Sequence, residues 1–145
     1  MRILAIDPGQ KRIGIAVSDP SGTIANPLTV IHHISRPVDA ATIAAFATDY
    51  EVNKIVVGQS LDEDNQPTLE GRRAARLAAA IRQQTDIPVQ LWDESNSTGA
   101  ARFASIQMGE SYKKRRQRSQ GHLDDLAATV ILQSYLDGQG EICNG

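Results

Sequence analysis

An α/β fold on a five-stranded mixed sheet is what the sequence predicts, and three observations carry it. Two short apolar runs near the start are joined by a Pro-Gly turn and read as an antiparallel hairpin. Further along, the hydrophobic period lengthens to that of a helix. Two later apolar runs are separated by helical stretches, which is the pattern of parallel strands with crossover helices.

Taken in order, Arg2 to Asp7 alternates Ile3, Ala5 and Asp7 against Leu4 and Ile6, a strand buried on both faces. Pro8-Gly9-Gln10-Lys11 is turn chemistry, and Ile13 to Ser18 returns as the second strand. After the turn Asp19-Pro20-Ser21-Gly22, Thr23 to Ile31 supplies a third strand; Pro27 within it suits an edge position. Val38 to Tyr50 is helical, with Pro37 at its start and Ile43, Ala44, Ala47 and Tyr50 on one face. Lys54 to Gly58 (KIVVG) is a short apolar strand for the middle of a sheet. A polar loop, Gln59 to Pro67, leads to a helix over Leu69 to Thr85 with Ala74, Leu77, Ala78 and Ile81 on one face. Pro88 to Trp92 is the fifth strand and runs into Asp93-Glu94. Ser97 or Thr98 caps a helix reaching Met108, which Gly109 stops. The last helix, Leu123 to Leu136, turns Leu126, Ala127, Val130 and Ile131 inward and ends at Gly138. One domain over 1–138 with a short tail over 139–145 follows. A three-stranded antiparallel meander extended by parallel strands is the layout of the RNase H-like fold. The patterning by itself specifies only a mixed α/β sheet.

A chain of 145 residues buries roughly two thirds of its unfolded surface and folds without a disulfide or structural metal. The single Cys143 has no partner within the chain, which points to a reducing compartment. A charge at Asp7 comes too early for a secretion signal, and no apolar run reaches membrane-spanning length. The expectation is a cytoplasmic protein that does not enter the membrane. Its net charge of −2 is unevenly spread. Lys113, Lys114, Arg115, Arg116 and Arg118 hold five of the 15 basic residues, leaving ten against 17 acidic ones elsewhere. Such a cluster on an acidic body reads as a phosphate-facing patch, with a solvated loop as the plain alternative.

The chemistry rests on carboxylates. Asp7 closes a buried strand just before a turn, a place where Asp also serves simply as a turn former. Asp93 and Glu94 end the fifth strand, and alternation lets only one of them share a face with Asp7. Asp124 and Asp125 open the last helix, where the helix dipole favours acidic residues in any case. Three carboxylates gathered at strand ends and a helix N-terminus repel each other unless cations sit between them. Mg²⁺ and Mn²⁺ want such hard oxygen ligands, and two of them about 4 Å apart activate water against a phosphodiester. Asp124 aligns with Ala128, Ile131 and Tyr135, whereas Asp125 aligns with Thr129 and Gln133 toward solvent, so Asp124 is the inward candidate. His122 beside it is a candidate for proton transfer or an ordinary surface histidine. No His- or Cys-rich cluster offers zinc a site.

These residues resemble the YqgF family, also called RuvX. The resemblance is carried by RILAIDPGQKRIGIAVSD at Arg2 to Asp19, KIVVG at Lys54 to Gly58, WDESNST at Trp92 to Thr98, KKRR at Lys113 to Arg116 and LDDLAATVILQSYL at Leu123 to Leu136. It implies an RNase H-like nuclease that uses Mg²⁺ or Mn²⁺ on structured nucleic acid, by analogy the 5′ end of precursor 16S rRNA. It also implies catalytic residues at Asp7, Glu94 and Asp124, with Asp93 as a further metal ligand. Lys11, Arg12 and the Lys113 to Arg118 cluster then face substrate phosphates, for affinity more than for sequence choice. Two motifs depart from the family pattern. Gly58-Gln59-Ser60-Leu61 stands where Gly-Leu-Pro-Leu is usual, and Ser95-Asn96 replaces an Arg-Leu pair.

Three other functions compete. A resolvase of four-way DNA junctions uses the same chemistry but needs a homodimer, whereas the rRNA nuclease works as monomer or dimer. A ribosome-assembly factor that binds RNA with weakened catalysis fits the two altered motifs. A nucleotide-dependent kinase related to actin shares the Asp-Pro-Gly hairpin, but those proteins duplicate the fold and this length holds one copy.

Overall fold

The computed structural model describes residues 1–93 and 123–144, with side chains over 126–138 of the second stretch. The predicted helix from Ser97 or Thr98 to Met108, the Lys113 to Arg118 cluster, Glu94, His122 and Cys143's side chain lie outside the described residues. The elements are β1 (Ile3–Pro8), β2 (Arg12–Ser18), β3 (Ala25–His32), α1 (Arg36–Asp49), β4 (Lys54–Gln59), α2 (Leu69–Arg82), β5 (Val89–Asp93) and α3 (Leu123–Asn144).

The strands form one mixed sheet in the order β3-β2-β1-β4-β5. β1 pairs antiparallel with β2, and β2 with β3, while β4 joins β1 and β5 in parallel. β3 is an edge strand, as Pro27 predicts. Its register slips where Ile15 faces Thr29 but Ala16 faces Pro27, so Leu28 is the extra residue of a bulge. Ser35 caps α1 by accepting the Val38 amide, and Pro37 sits in the first turn, where a missing N–H costs nothing. Thr68 caps α2 through the Gly71 amide at 3.1 Å.

Strand alternation builds two cores. Leu4 and Ile6 pack with Ile13, Ile15, Ile55 and Val57 beneath α1 and α2. Ile3 and Ala5 pack with Ala16, Val56 and the α3 residues Ala128, Ile131, Leu132 and Tyr135. A central strand buried on both faces is why β1 reads as a continuous apolar run. The predicted α2 face is found as expected, with Ala74, Leu77, Ala78 and Ile81 all buried.

Two expectations about the last helix need correction. It does not end at Gly138 but continues to Asn144. Gly138 serves a close approach instead: a Cβ there would lie 3.2 Å from Trp92 Cη2. Nor does Thr129 face solvent; it is 1% exposed. The helix crosses β1, β2 and β3, so it buries a wide arc rather than a single stripe. The face argument for preferring Asp124 over Asp125 therefore weakens, and the preference rests on the family resemblance. Among the described residues no helix is long and apolar enough to cross a membrane.

The β2–β3 turn is organised by Asp19, whose Oδ1 accepts the Thr23 and Ile24 amides at 2.8 and 3.0 Å, and whose Oδ2 accepts the Ser21 hydroxyl. The Ile24 amide foremost, then the Ser21 hydroxyl and the Thr23 amide, lower its pKa from 3.8 to about 2. A depressed carboxylate stabilises the fold fully above 3.8, and that contribution is lost as pH falls through about 2. Asp19→Ala should therefore lower the thermal midpoint at neutral pH, with the gap to wild type closing between pH 3.8 and about 2. A gap constant over that range would contradict the assignment.

Candidate functional site

The three parallel strands end at the same edge of the sheet. Asp7 lies there on central β1, half-buried, on the face that carries Ile3 and Ala5 beneath α3. Its cross-strand partner on β2 is Gly14, and on β4 the next residue past the Ile6–Val57 pair is Gly58. Both glycines are buried. Neither puts a side chain beside the carboxylate, so both sheet neighbours of Asp7 lack a Cβ. That gap is the signal that sequence reasoning missed, because the two glycines belong to different strands.

Beyond Gly58 the row continues to Trp92 on β5. Trp92 packs with the α3 core, and its ring meets Tyr135 edge-on with centroids 5.2 Å apart. Asp93 is one residue further and carries the parity of Val89 and Leu91, which pack on the α1–α2 core. Asp7 and Asp93 thus stand on opposite faces of the sheet. Glu94 is outside the described residues.

The third candidate position follows from the run of α3. Gln133 Oε1 accepts the Ala25 amide at the start of β3, and the Lys54 ammonium at the start of β4 lies 5.2 Å from the Tyr135 ring. Over β3 and β4 this part of the helix therefore covers the strand starts, and it meets Asp7's row only on β5, at Trp92. From Gln133 back to Asp124 the helix rises about 14 Å. Along β1 the step from Ile3 to Asp7 is about 13 Å. The first turn of α3 has the reach to come level with Asp7 at the other end of the sheet.

The two basic residues of the first turn separate. Arg12 has the parity of Gly14 and Ala16, on the Asp7 face. Lys11 lines a cavity on the other side, next to Pro8 and Ile13. Gly9 makes the turn possible: a Cβ would sit 2.3 Å from the Arg12 carbonyl oxygen. A three-residue cluster of His, Cys, Asp or Glu fit to hold a metal is absent among the described residues, which include neither Glu94 nor the Asp124 carboxylate.

Comparison with known proteins decides the family. The sequence profile described as "RuvX: Holliday junction resolvase" matches residues 1–138. The chain belongs to the RuvX family. A relative from Thermoanaerobacter pseudethanolicus, named "Putative pre-16S rRNA nuclease", is 37% identical over 96% of this chain and 98% of its own length. One of the same name from Anaeromyxobacter sp. (strain Fw109-5) is 39% identical over the same shares. Among solved structures, T. thermophilus RuvC in complex with a Holliday junction substrate superposes with a TM-score of 0.62 at 12% identity, covering 97% of this chain and 96% of that one. Fowlpox virus resolvase with Holliday junction DNA gives 0.59 at 14% identity, over 96% and 99%. At these identities the likeness is one of fold, and the fold is RNase H-like.

One departure from the RuvX pattern has a structural account. Gln59 and Ser60 tie the end of β4 to α2: the Gln59 amide donates to the Gly71 carbonyl at 3.2 Å, and the Ser60 carbonyl accepts the Thr68 amide at 3.1 Å. A Cβ at Gly71 would meet the Ser60 oxygen at 2.1 Å. This pair forms a packed joint beside the site. Ser95 and Asn96 lie outside the described residues.

Proposed function

We propose that this RuvX-family chain is a metal-dependent nuclease that hydrolyses phosphodiester bonds in structured nucleic acid, acting on the 5′ end of precursor 16S rRNA in the cytoplasm. The observation that carries the reading is Asp7, a carboxylate at the end of the central strand with glycine as its neighbour on both adjacent strands. Strand ends of an α/β sheet are where ligands bind. The relatives named for precursor-rRNA nuclease activity, similar over nearly their full length, support the substrate.

Asp7, Glu94 and Asp124 are the proposed catalytic set and the proposed ligands of Mg²⁺ or Mn²⁺. A site of carboxylate oxygens opening between glycines suits a hard cation that keeps several waters. Bound there, the ion supplies an activated water and charge stabilisation at the leaving oxygen. The parity of β5 makes Asp93 the weaker ligand of the acidic pair. Arg12, on the same face as Asp7, positions a substrate phosphate, and Lys113, Lys114, Arg115, Arg116 and Arg118 extend that contact.

Purified protein given RNA spanning the 5′ end of precursor 16S rRNA, or a four-way DNA junction, tests this in Mg²⁺, Mn²⁺ or EDTA. Cleavage of the RNA only with the metal supports the reading. Cutting of the junction by a dimer, with the RNA untouched, replaces the substrate. Tight RNA binding without turnover in either metal replaces the nuclease with an assembly factor.

A further inference from the structure

A second basic feature lies across the β1–β2 turn from Asp7. A cavity of about 680 Å³ opens between that turn, the start of α1 and α2. Lys11, Arg36, Arg73 and Arg76 line it, with His33 and Asp39. The four cations are exposed, and Asp39, the one carboxylate among the cavity's described lining residues, is hydrogen-bonded to His33, with its Oδ2 2.5 Å from His33 Nδ1. Asp39 is buried, and its other oxygen accepts the Ile34 amide at 3.1 Å. That carboxylate is committed to holding the histidine and the loop before α1.

Four like charges converging on one concavity repel each other, and a polyanion relieves the repulsion. Arg73 and Arg76 are three residues apart, neighbours on one face of α2. Guanidinium groups match phosphate oxygens in geometry as well as charge. The volume lies within the range of small-ligand clefts, so a free nucleotide has room. One feature favours a nucleic-acid strand instead: the cavity shares the turn Pro8 to Lys11 with the candidate site, so one strand can reach both.

We propose that this cavity is a second phosphate site, which seats the backbone of the nucleic acid a few nucleotides from the bond at Asp7. The site itself stands on its own geometry; the link to cleavage rests on the nuclease reading. The cavity is lined by Pro8, the residue next to Asp7, which places the two within reach of one strand.

The test is binding rather than cleavage. Anisotropy of a labelled single-stranded RNA is followed in EDTA over a salt series, for wild type and for Arg73→Gln/Arg76→Gln. The double variant should bind more weakly, and the slope of log K against log salt should flatten by about 0.7 for each phosphate that is no longer neutralised. Lysine at both positions should restore the slope, because the charge is retained. Arg36→Gln, on the α1 side, should weaken binding in the same way and so excludes a local effect on α2. Affinity and slope unchanged in both glutamine variants would overturn the proposal. So would tight ADP binding that the double variant abolishes while RNA binding stays intact, which reassigns the cavity to a free nucleotide. EDTA separates this result from the nuclease reading: an Asp7→Asn protein that still cleaves would sink that reading and leave the binding result standing.

Discussion

Asp7→Asn is expected to lower metal-dependent cleavage by at least about 10³-fold, roughly 4 kcal/mol of transition-state stabilisation. The substitution keeps the shape of the side chain, removes its charge and turns one acceptor oxygen into an NH2 donor. The position is half-buried at a strand end with glycine as its neighbour on each side, so the amide has room where the carboxylate stood. The proper control is Asp93→Asn, which changes the same charge on the same edge of the sheet. Asp93 has the parity of Val89 and Leu91 and stands on the α1–α2 face, so its loss should reduce the rate by no more than the roughly 10–100-fold of an outer contact. Single-turnover cleavage of precursor RNA in Mn²⁺, with unfolding followed in parallel, makes the comparison. Equal rates for Asp7→Asn and wild type would remove Asp7 from the chemistry. Equal losses in the two variants would mean that overall negative charge at this edge matters, not one face of it.

That control depends on what the sequence leaves open. Alternation alone shows that Asp93 and Glu94 point to opposite faces, but not which face is Asp7's. The answer comes from packing: Trp92 joins the α3 core and Leu91 the other one. The strands themselves are legible because β1 and β4 are buried on both sides and read as unbroken apolar runs. Gly14 and Gly58 are not legible as a pair, since their adjacency exists only once β2 and β4 flank β1. Thr129 misleads because it is polar and stands beside the apolar stripe; a helix lying over three strands buries such a residue anyway. Gly138 misleads in a related manner, resembling a helix terminator when it is a point of contact with an indole. The basic cavity is invisible for a different reason. Lys11, Arg36, Arg73 and Arg76 come from a turn and two helices, and each by itself is an ordinary surface cation. A charge run such as Lys113 to Arg118 draws attention in a sequence; four cations gathered by the fold do not.

The largest expected effect on stability is at Tyr135, the side chain that fastens α3 to the sheet. It is 1% exposed, its ring meets Trp92 at 86° with centroids 5.2 Å apart, and the Lys54 ammonium lies 5.2 Å from the ring centre. Truncating a buried aromatic to alanine costs about 3–5 kcal/mol, and the edge-on pair accounts for roughly 0.5–1.5 of it. Against a typical stability of about 5–15 kcal/mol, Tyr135→Ala should consume roughly a fifth or more, read by denaturant unfolding. The hydroxyl is a lesser matter: it donates to Gln90 Oε1 at 3.4 Å, a long bond. Tyr135→Phe should therefore cost about 1 kcal/mol or less. The contrast also bears on function, because the same helix carries Asp124 in its first turn. Tyr135→Phe should cleave RNA at close to the wild-type rate, whereas Tyr135→Ala should lose activity even where most of the protein is folded, its helix no longer seated on Trp92. If the phenylalanine variant proved as unstable as the alanine one, the hydroxyl and Gln90 would hold the helix, not the ring.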